Sequence, residues 1–328
     1  MKNVAVLFMF LIGIQQCKDS SEVKPNYDFD FREIEKPLKS LQDSIAMAES
    51  NFPIREDNQA RIDFYNNQPI KTDYSVVYLH GFAGSYMDGF PANQIIADTL
   101  KANVYHARWG DHGQFPPHSM EDFTPENSWE DAKEALAIGN AIGKKTIIMS
   151  TSTGGTLATL LAAKYPEKVH AIINISPNYK DDQTGAGILN TLIGEEVAHI
   201  VAGGENRKLE FKEPKADLYW DTLYPAEALS HLQNLVQTTM KPETFSEVTV
   251  PLLLVYYKKN IIQEDSHVEV DIFPKIFKQF STPDSLKVLK PMDQPETHFM
   301  GSEIKTSQYP LTVEVIISFL RNQLNIEI

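Results

Sequence analysis

Between residues 74 and 176 short apolar runs alternate with segments whose apolar residues recur every three or four positions. The runs YSVVYL (74–79), NVYH (103–106), TIIM (146–149) and VHAIINIS (169–176) are brief and rich in β-branched residues, which predicts buried strands. Between them ANQIIADTLKA (92–102), TPENSWEDAKEALAIGNAIG (124–143) and TLATLLAAKYP (156–166) carry helical spacing. Thr124 and Pro125 take the capping and first-turn positions of the second of these. Strands alternating in this way with helices imply βαβ units and a mostly parallel sheet covered on both faces, an α/β fold. Upstream, Leu38, Leu41, Ile45 and Met47 predict a short amphipathic helix, and ARIDFYN (60–66) a strand. The rhythm breaks between about 178 and 248. There ILNTLIGEEVAHIV (188–201) and PAEALSHLQNLVQ (225–237) read as helices joined by the charged ENRKLEFKEPKAD (205–217). Strand character returns at VTVPLLLVYY (248–257) and SLKVLKP (285–291), and LTVEVIISFLRNQL (311–324) closes the chain as a helix. This pattern divides the main domain, 59–328, by a helical cap insertion at about 179–247.

The first 58 residues read differently. Lys2 precedes an apolar run from Val4 to Ile14, too short to span a bilayer and suited to the core of an export signal over 1–17. Cys17, the single cysteine, follows it, and Lys18, Asp19, Ser20 and Ser21 come next. A cysteine so placed resembles the lipid-attachment site of bacterial lipoproteins, although Gln16 stands where a small residue is usual. The expectation is an exported, periplasmic or membrane-anchored protein of a bacterium, attached to a membrane only through a lipidated Cys17. Residues 18–58 would form a polar tether and the short helix. A lone cysteine excludes an internal disulfide framework. The formal net charge of −14 would repel a phosphate backbone and argues against nucleic acid as a partner.

The candidate chemistry begins in KKTIIMSTSTGGTLATLLAAKYP (144–166). A strand turning sharply into a helix brings the two backbones together and leaves room for little except small residues. Such a turn, written G-x-S-x-G, projects a nucleophile clear of both elements. Ser150-Thr151-Ser152-Thr153-Gly154 fits that frame with Ser152 at the turn and Ser150 in the place of the first glycine. The competing reading makes Ser152 an ordinary helix cap. His80-Gly81-Phe82 follows an early strand, and the N–H groups of Phe82 and Thr153 could face a developing oxyanion, with His80 anchoring the loop. In the chain order Ser, acid, His, the acid is assigned to Asp265, with Glu264 as second choice, and the base to His298. Asn260 lacks the charge, and His267 lies too close to Asp265 in sequence to close a triad easily. Tyr219, Trp220 and Tyr224 in the insertion could line a pocket. His106, Asp111, His112 and His118 carry ligand-type side chains but lack a metal-site spacing, so no metal is assigned.

Four stretches, VVYLHGFAGS, ARWGDHG, MSTSTGG and THFMGS, resemble in order the motifs of the α/β-hydrolase superfamily, near its monoacylglycerol-lipase and serine-aminopeptidase branches. The likeness runs from about Ala60 to the end. It implies a serine hydrolase acting on a small-molecule ester or acyl substrate, with no cofactor. A carboxylic ester is the preferred substrate; an amide or peptide hydrolase and a non-catalytic binding module are the alternatives.

Overall fold

The computed structural model describes residues 26–34, 36–180 and 194–328. The expected export signal, Cys17, most of the tether and the start of the first insertion helix lie outside them. Helix α1 (Leu38–Glu49) is followed by β1 (Arg61–Asp63), β2 (Thr72–Leu79), α2 (Ala92–Thr99), β3 (Asn103–His106), α3 (Pro125–Ile142), β4 (Gly143–Thr151), α4 (Thr153–Lys164) and β5 (Ala171–Ile175). The insertion then holds α5 (Gly194–Ala202), β6 (Asn206–Lys208), α6 (Ala216–Tyr219), β7 (Leu223–Pro225), α7 (Glu227–Thr239) and α8 (Pro242–Glu247). The main domain resumes with β8 (Leu252–Tyr257), α9 (Phe273–Phe277), β9 (Lys287–Met292) and α10 (Tyr309–Asn322).

The seven strands of the main sheet are ordered β1-β3-β2-β4-β5-β8-β9, and every pairing except β1 with β3 is parallel. Parallel strands have both faces buried, and the two-residue period divides their side chains between two cores. Val77, Leu79, Ile148, Ile172, Leu252 and Leu254 pack with residues of α1, α3, α4 and α9. Val76, Tyr78, Ile147, Met149, Ile173, Leu253 and Val255 pack on the other face with α2 and α10. Thr124 caps α3 as expected, accepting a hydrogen bond from Asn127 N–H. In α1 the buried face is Leu41 and Ile45, while Met47 is exposed, one of the places where the expected stripe was misdrawn.

The charged stretch 205–217 contains β6, which pairs antiparallel with β7 through Arg207↔Tyr224. The sequence pattern missed this ribbon because each strand is three residues long and its partner is remote. The insertion is fastened to the segment before β1 by a buried ion pair, Arg55 Nη2 to Asp221 Oδ1 at 2.9 Å. Asp221 also accepts from Gly113 N–H at 3.2 Å, and its own N–H donates to Ala83 O at 2.8 Å. Removing one partner strands the other charge in a buried place, so Asp221→Ala is expected to destabilise the fold by about 3–5 kcal/mol. Chemical denaturation measures this, and a loss below about 1 kcal/mol would contradict the assignment.

Candidate active site

Strand β4 delivers Ser152 to the carboxyl edge of the sheet. Its φ of 55° and ψ of −120° form a conformation that is costly for a non-glycine residue and is found chiefly at functional sites. The main chain holds it there: Ser152 N–H donates to Ile175 O at 3.1 Å, and Ser152 O accepts from Gly155 and Asn178 N–H, both at 2.8 Å. A Cβ at Gly154 would lie 2.0 Å from Leu79 O, and one at Gly155 2.5 Å from Pro177 Cβ. Glycine is therefore what lets α4 approach β2 and the loop after β5 so closely. The Ser152 side chain makes no capping hydrogen bond, which removes the helix-cap reading.

The serine in the place of the usual first glycine has its own explanation. Ser150 Oγ donates to Asn174 Oδ1 at 2.8 Å, and Asn174 Nδ2 donates to Thr159 Oγ1 at 3.0 Å and Tyr179 OH at 2.8 Å. The extra hydroxyl is thus absorbed in a satisfied, buried polar network behind the turn.

Asp265 and His298 reach the same edge from the ends of β8 and β9. After β8 the chain makes a small excursion in which Lys258 bridges Glu264, and Asp265 N–H returns to Tyr257 O at 3.2 Å. Asp265 Oδ2 lies 2.7 Å from His298 Nδ1, with both side chains shielded from solvent. A carboxylate can only accept, so Nδ1 carries the proton and Nε2 is left as an acceptor. Burial alone would raise Asp265, but the His298 charge and the hydrogen bonds from His267 and His298 hold it well below the usual carboxylate range. Burial also keeps His298 below its ordinary value, outweighing the pull of Asp265. The imidazole is then neutral at neutral pH, as a general base requires. Among the described residues no hydrogen bond joins Ser152 Oγ to His298; such bonds often tighten only as substrate binds.

The other assignments resolve individually. Glu264 is bonded to Lys258, and Asn260 Oδ1 caps its own turn by accepting from Ile262 and Gln263 N–H, so neither competes with Asp265. His80 is buried; its Nδ1 lies 2.8 Å from Gly81 O, its Nε2 accepts Trp109 N–H at 3.3 Å, and burial pushes it down to about 3. It anchors its loop as a neutral ring. A Cβ built on Gly81 would fall 3.0 Å from Ser152 Cβ, so this loop lies against the turn at Ser152. Neither Phe82 N–H nor Thr153 N–H has an acceptor among the described residues.

The aromatic residues of the insertion separate. Tyr224 packs edge-on against Phe82 at 5.4 Å, and Trp220 against Phe299, the neighbour of His298, at 5.3 Å. Tyr219 instead donates to Asp57 Oδ2 at 3.0 Å and packs on Tyr86, a correction to its expected place. The apolar cluster beside Phe82 comprises Ala83, Met120, Phe123, Tyr224, Leu232 and Val236, so α7 and the 120–123 loop build one wall here.

His106, Asp111, His112 and His118 diverge: His106 pairs with Asp63, Asp111 accepts from Gln114 and Asp122, His112 lies tilted against His80, and His118 faces Glu121. Among the described residues, Asp265, His267 and His298 are the group whose ligand atoms converge, within 4.8 Å of one another. The His267 ring lies over His298 at 4.6 Å and only 24° from parallel. An ion must sit in the plane of each ring at about 2.0–2.1 Å, and two nearly parallel planes do not meet there. The arrangement is a hydrogen-bonded carboxylate–imidazole pair with a second imidazole, His267, stacked on it.

The family model for the alpha/beta hydrolase fold matches residues 74–194, and the sheet order and strand–turn–helix at Ser152 agree with it. The chain has the α/β-hydrolase fold. Among solved structures it is similar to a metagenome-derived lipolytic enzyme reported with LipS and LipT, at 17% identity and a TM-score of 0.65, over 82% of this chain and 99% of that one. It is also similar to a soluble variant of Saccharomyces cerevisiae monoglyceride lipase (13%, TM-score 0.59, 81% and 91%). The third is a Paleococcus ferrophilus monoacylglycerol lipase (14%, TM-score 0.56, 80% and 99%). No curated protein matches the chain in sequence.

Proposed function

We propose that this protein is a serine hydrolase that cleaves a carboxylic ester through an acyl-enzyme intermediate. The observation that carries the reading is the buried His298–Asp265 pair, set on the same sheet edge as Ser152 in its strained turn. The lipolytic and monoacylglycerol-lipase activities of the similar structures support it. Ser152 Oγ attacks the acyl carbonyl while His298 Nε2 takes its proton, and Asp265 holds the tautomer and stabilises the imidazolium. Phe82 and Thr153 N–H receive the oxyanion, and each such donor is worth about 3–4 kcal/mol in comparable sites. His298 returns the proton to the departing alcohol, then activates the water that frees the acyl group. The apolar wall around Phe82 and Tyr224 suits an acyl chain, with the insertion acting as a cap.

A fluorophosphonate probe tests the class: stoichiometric labelling of the wild type is expected, and none on folded protein would favour a binding module. p-Nitrophenyl esters of increasing chain length beside aminoacyl anilides test the substrate, and faster anilide turnover would reverse the ester preference. We also infer that the protein works outside the cytoplasm, tethered through Cys17; incorporation of an alkynyl fatty acid lost in Cys17→Ala would support this, and equal incorporation would refute it.

The stacked His267 makes a pH prediction. Its charge lowers the His298 value, and its ring helps shield that imidazole from water, which acts in the same direction. Removing it therefore raises the value at which His298 gains a proton. The acid limb of kcat/KM in His267→Gln is expected at higher pH than in the wild type, with the plateau kcat retained. An unmoved or acid-shifted limb would count against the coupling.

A further inference from the structure

Asp88 is fully buried, remote in sequence from Ser152, His298 and Asp265, and bonded on both oxygens. Its Oδ2 accepts Gly81 N–H at 2.6 Å, and its Oδ1 shares a hydrogen bond with the Tyr78 hydroxyl. Tyr78 OH also lies 2.8 Å from Thr151 Oγ1, and Thr151 immediately precedes Ser152. The fit around this chain of groups is tight. A Cβ at Gly84 would stand 2.9 Å from Asp88 Oδ2, one at Gly81 3.1 Å from it, and one at Gly89 2.1 Å from Tyr78 OH.

We propose that Asp88 is a positioning residue for the reaction, fixing the loop that presents Phe82 N–H directly through Gly81 N–H, and the turn that presents Ser152 and Thr153 N–H through Tyr78 and Thr151. The inference rests on the hydrolase reading above. Each peptide unit is planar. The unit carrying Phe82 N–H has its carbonyl, Gly81 O, bonded to Gly84 N–H at 3.1 Å and to His80 Nδ1 at 2.8 Å, so the Asp88 bond to Gly81 N–H completes the restraint on φ and ψ of Gly81. Gly81 N–H held by the carboxyl sets the orientation of the peptide carrying Phe82 N–H. The same carboxyl, through one phenol, steadies the far side of the oxyanion pocket, so two segments from β2 and β4 share a single reference point. Burial pushes the Asp88 carboxyl up to about 8, so the neutral acid prevails at neutral pH and an amide is its nearest substitute. In Asp88→Asn the amide oxygen still accepts Gly81 N–H, and the amide nitrogen donates to Tyr78 OH, which donates onward to Thr151.

The test compares Asp88→Ala, Asp88→Asn and Tyr78→Phe in the full chain, by steady-state turnover of a p-nitrophenyl ester and by the rate of fluorophosphonate labelling, with thermal melting in parallel. A displacement of about 1 Å at such a site can cost about 100-fold. Asp88→Ala is expected to lose between about 10-fold and 100-fold in kcat and in labelling rate, while KM changes little. Asp88→Asn should recover most of that loss, which a purely structural role would not separate into kcat and KM. Wild-type kcat and labelling rate in folded Asp88→Ala, or equal losses in the alanine and asparagine variants, would overturn the proposal. Should Asp88→Ala fail to fold, Tyr78→Phe decides: a lower kcat at unchanged KM supports the link to Thr151, and an unchanged kcat overturns it. A wild type that neither labels nor turns over ester would sink the hydrolase reading itself, and the inference with it.

Discussion

Ser152→Ala is expected to reduce ester turnover on the order of 10⁶-fold, the scale seen when the nucleophile of a preorganised triad is removed. The variant should also fail to react with a fluorophosphonate. The fold should be nearly unaffected, because the Ser152 side chain makes no capping hydrogen bond, and the contacts holding the turn come from its main chain. Alanine at φ 55° is no better suited to that conformation than serine, so strain is neither created nor relieved. Turnover in highly purified Ser152→Ala, or labelling that persists at another serine, would refute the assignment outright.

The second large effect is expected at Asp265. Asp265→Asn should lower kcat about 10⁴-fold, the cost recorded where the acid of a triad is made neutral. The surroundings dictate which way the amide faces. His267 N–H donates to Asp265 Oδ1 at 2.9 Å, so the amide oxygen stays on that side and the NH₂ group turns towards His298 Nδ1. His298 must then carry its proton on Nε2, the atom that should accept from Ser152, and the base is disabled by tautomer alone. Glu264→Gln serves as the control. Its partner is Lys258 at a partly exposed site, where ion pairs contribute about 0–1 kcal/mol, and its turnover should be close to wild type. A large loss in Glu264→Gln with little in Asp265→Asn would exchange the two roles.

The strands and helices of the main sheet were legible because their signals are local. Val76, Val77, Ile147 and Ile148 lie in unbroken apolar runs since both faces of a parallel strand are buried. Thr124-Pro125 announces a helix start within two residues. The turn at Ser152 was readable because its small residues, Ser150 to Gly155, stand together in the sequence, although the neighbours they make room for, Leu79 O at Gly154 and Pro177 at Gly155, are distant in the chain. The α6–α7 region was read less well. The ribbon of β6 and β7 depends on a pairing across the 14 residues between Lys208 and Leu223, and no periodicity in three-residue strands reports it.

What the amino-acid order determined by itself was therefore the layered α/β scheme, the position of the strand–turn–helix at Ser152, and a short set of acids and histidines placed after the last strands. Tertiary structure alone placed Asp265 rather than Glu264 beside His298, because these adjacent residues point in opposite directions, one to His298 and the other to Lys258. It also laid His267 over His298, gave Ser150 a partner on β5, sent Tyr219 away from the site and Tyr224 towards it, and joined Asp88 to Gly81 and, through Tyr78, to Thr151. Each of these is a choice of side-chain partner that the hydrophobic pattern does not encode. Side-chain direction at a loop is set by where the rest of the fold stands, and a one-dimensional pattern carries no record of it.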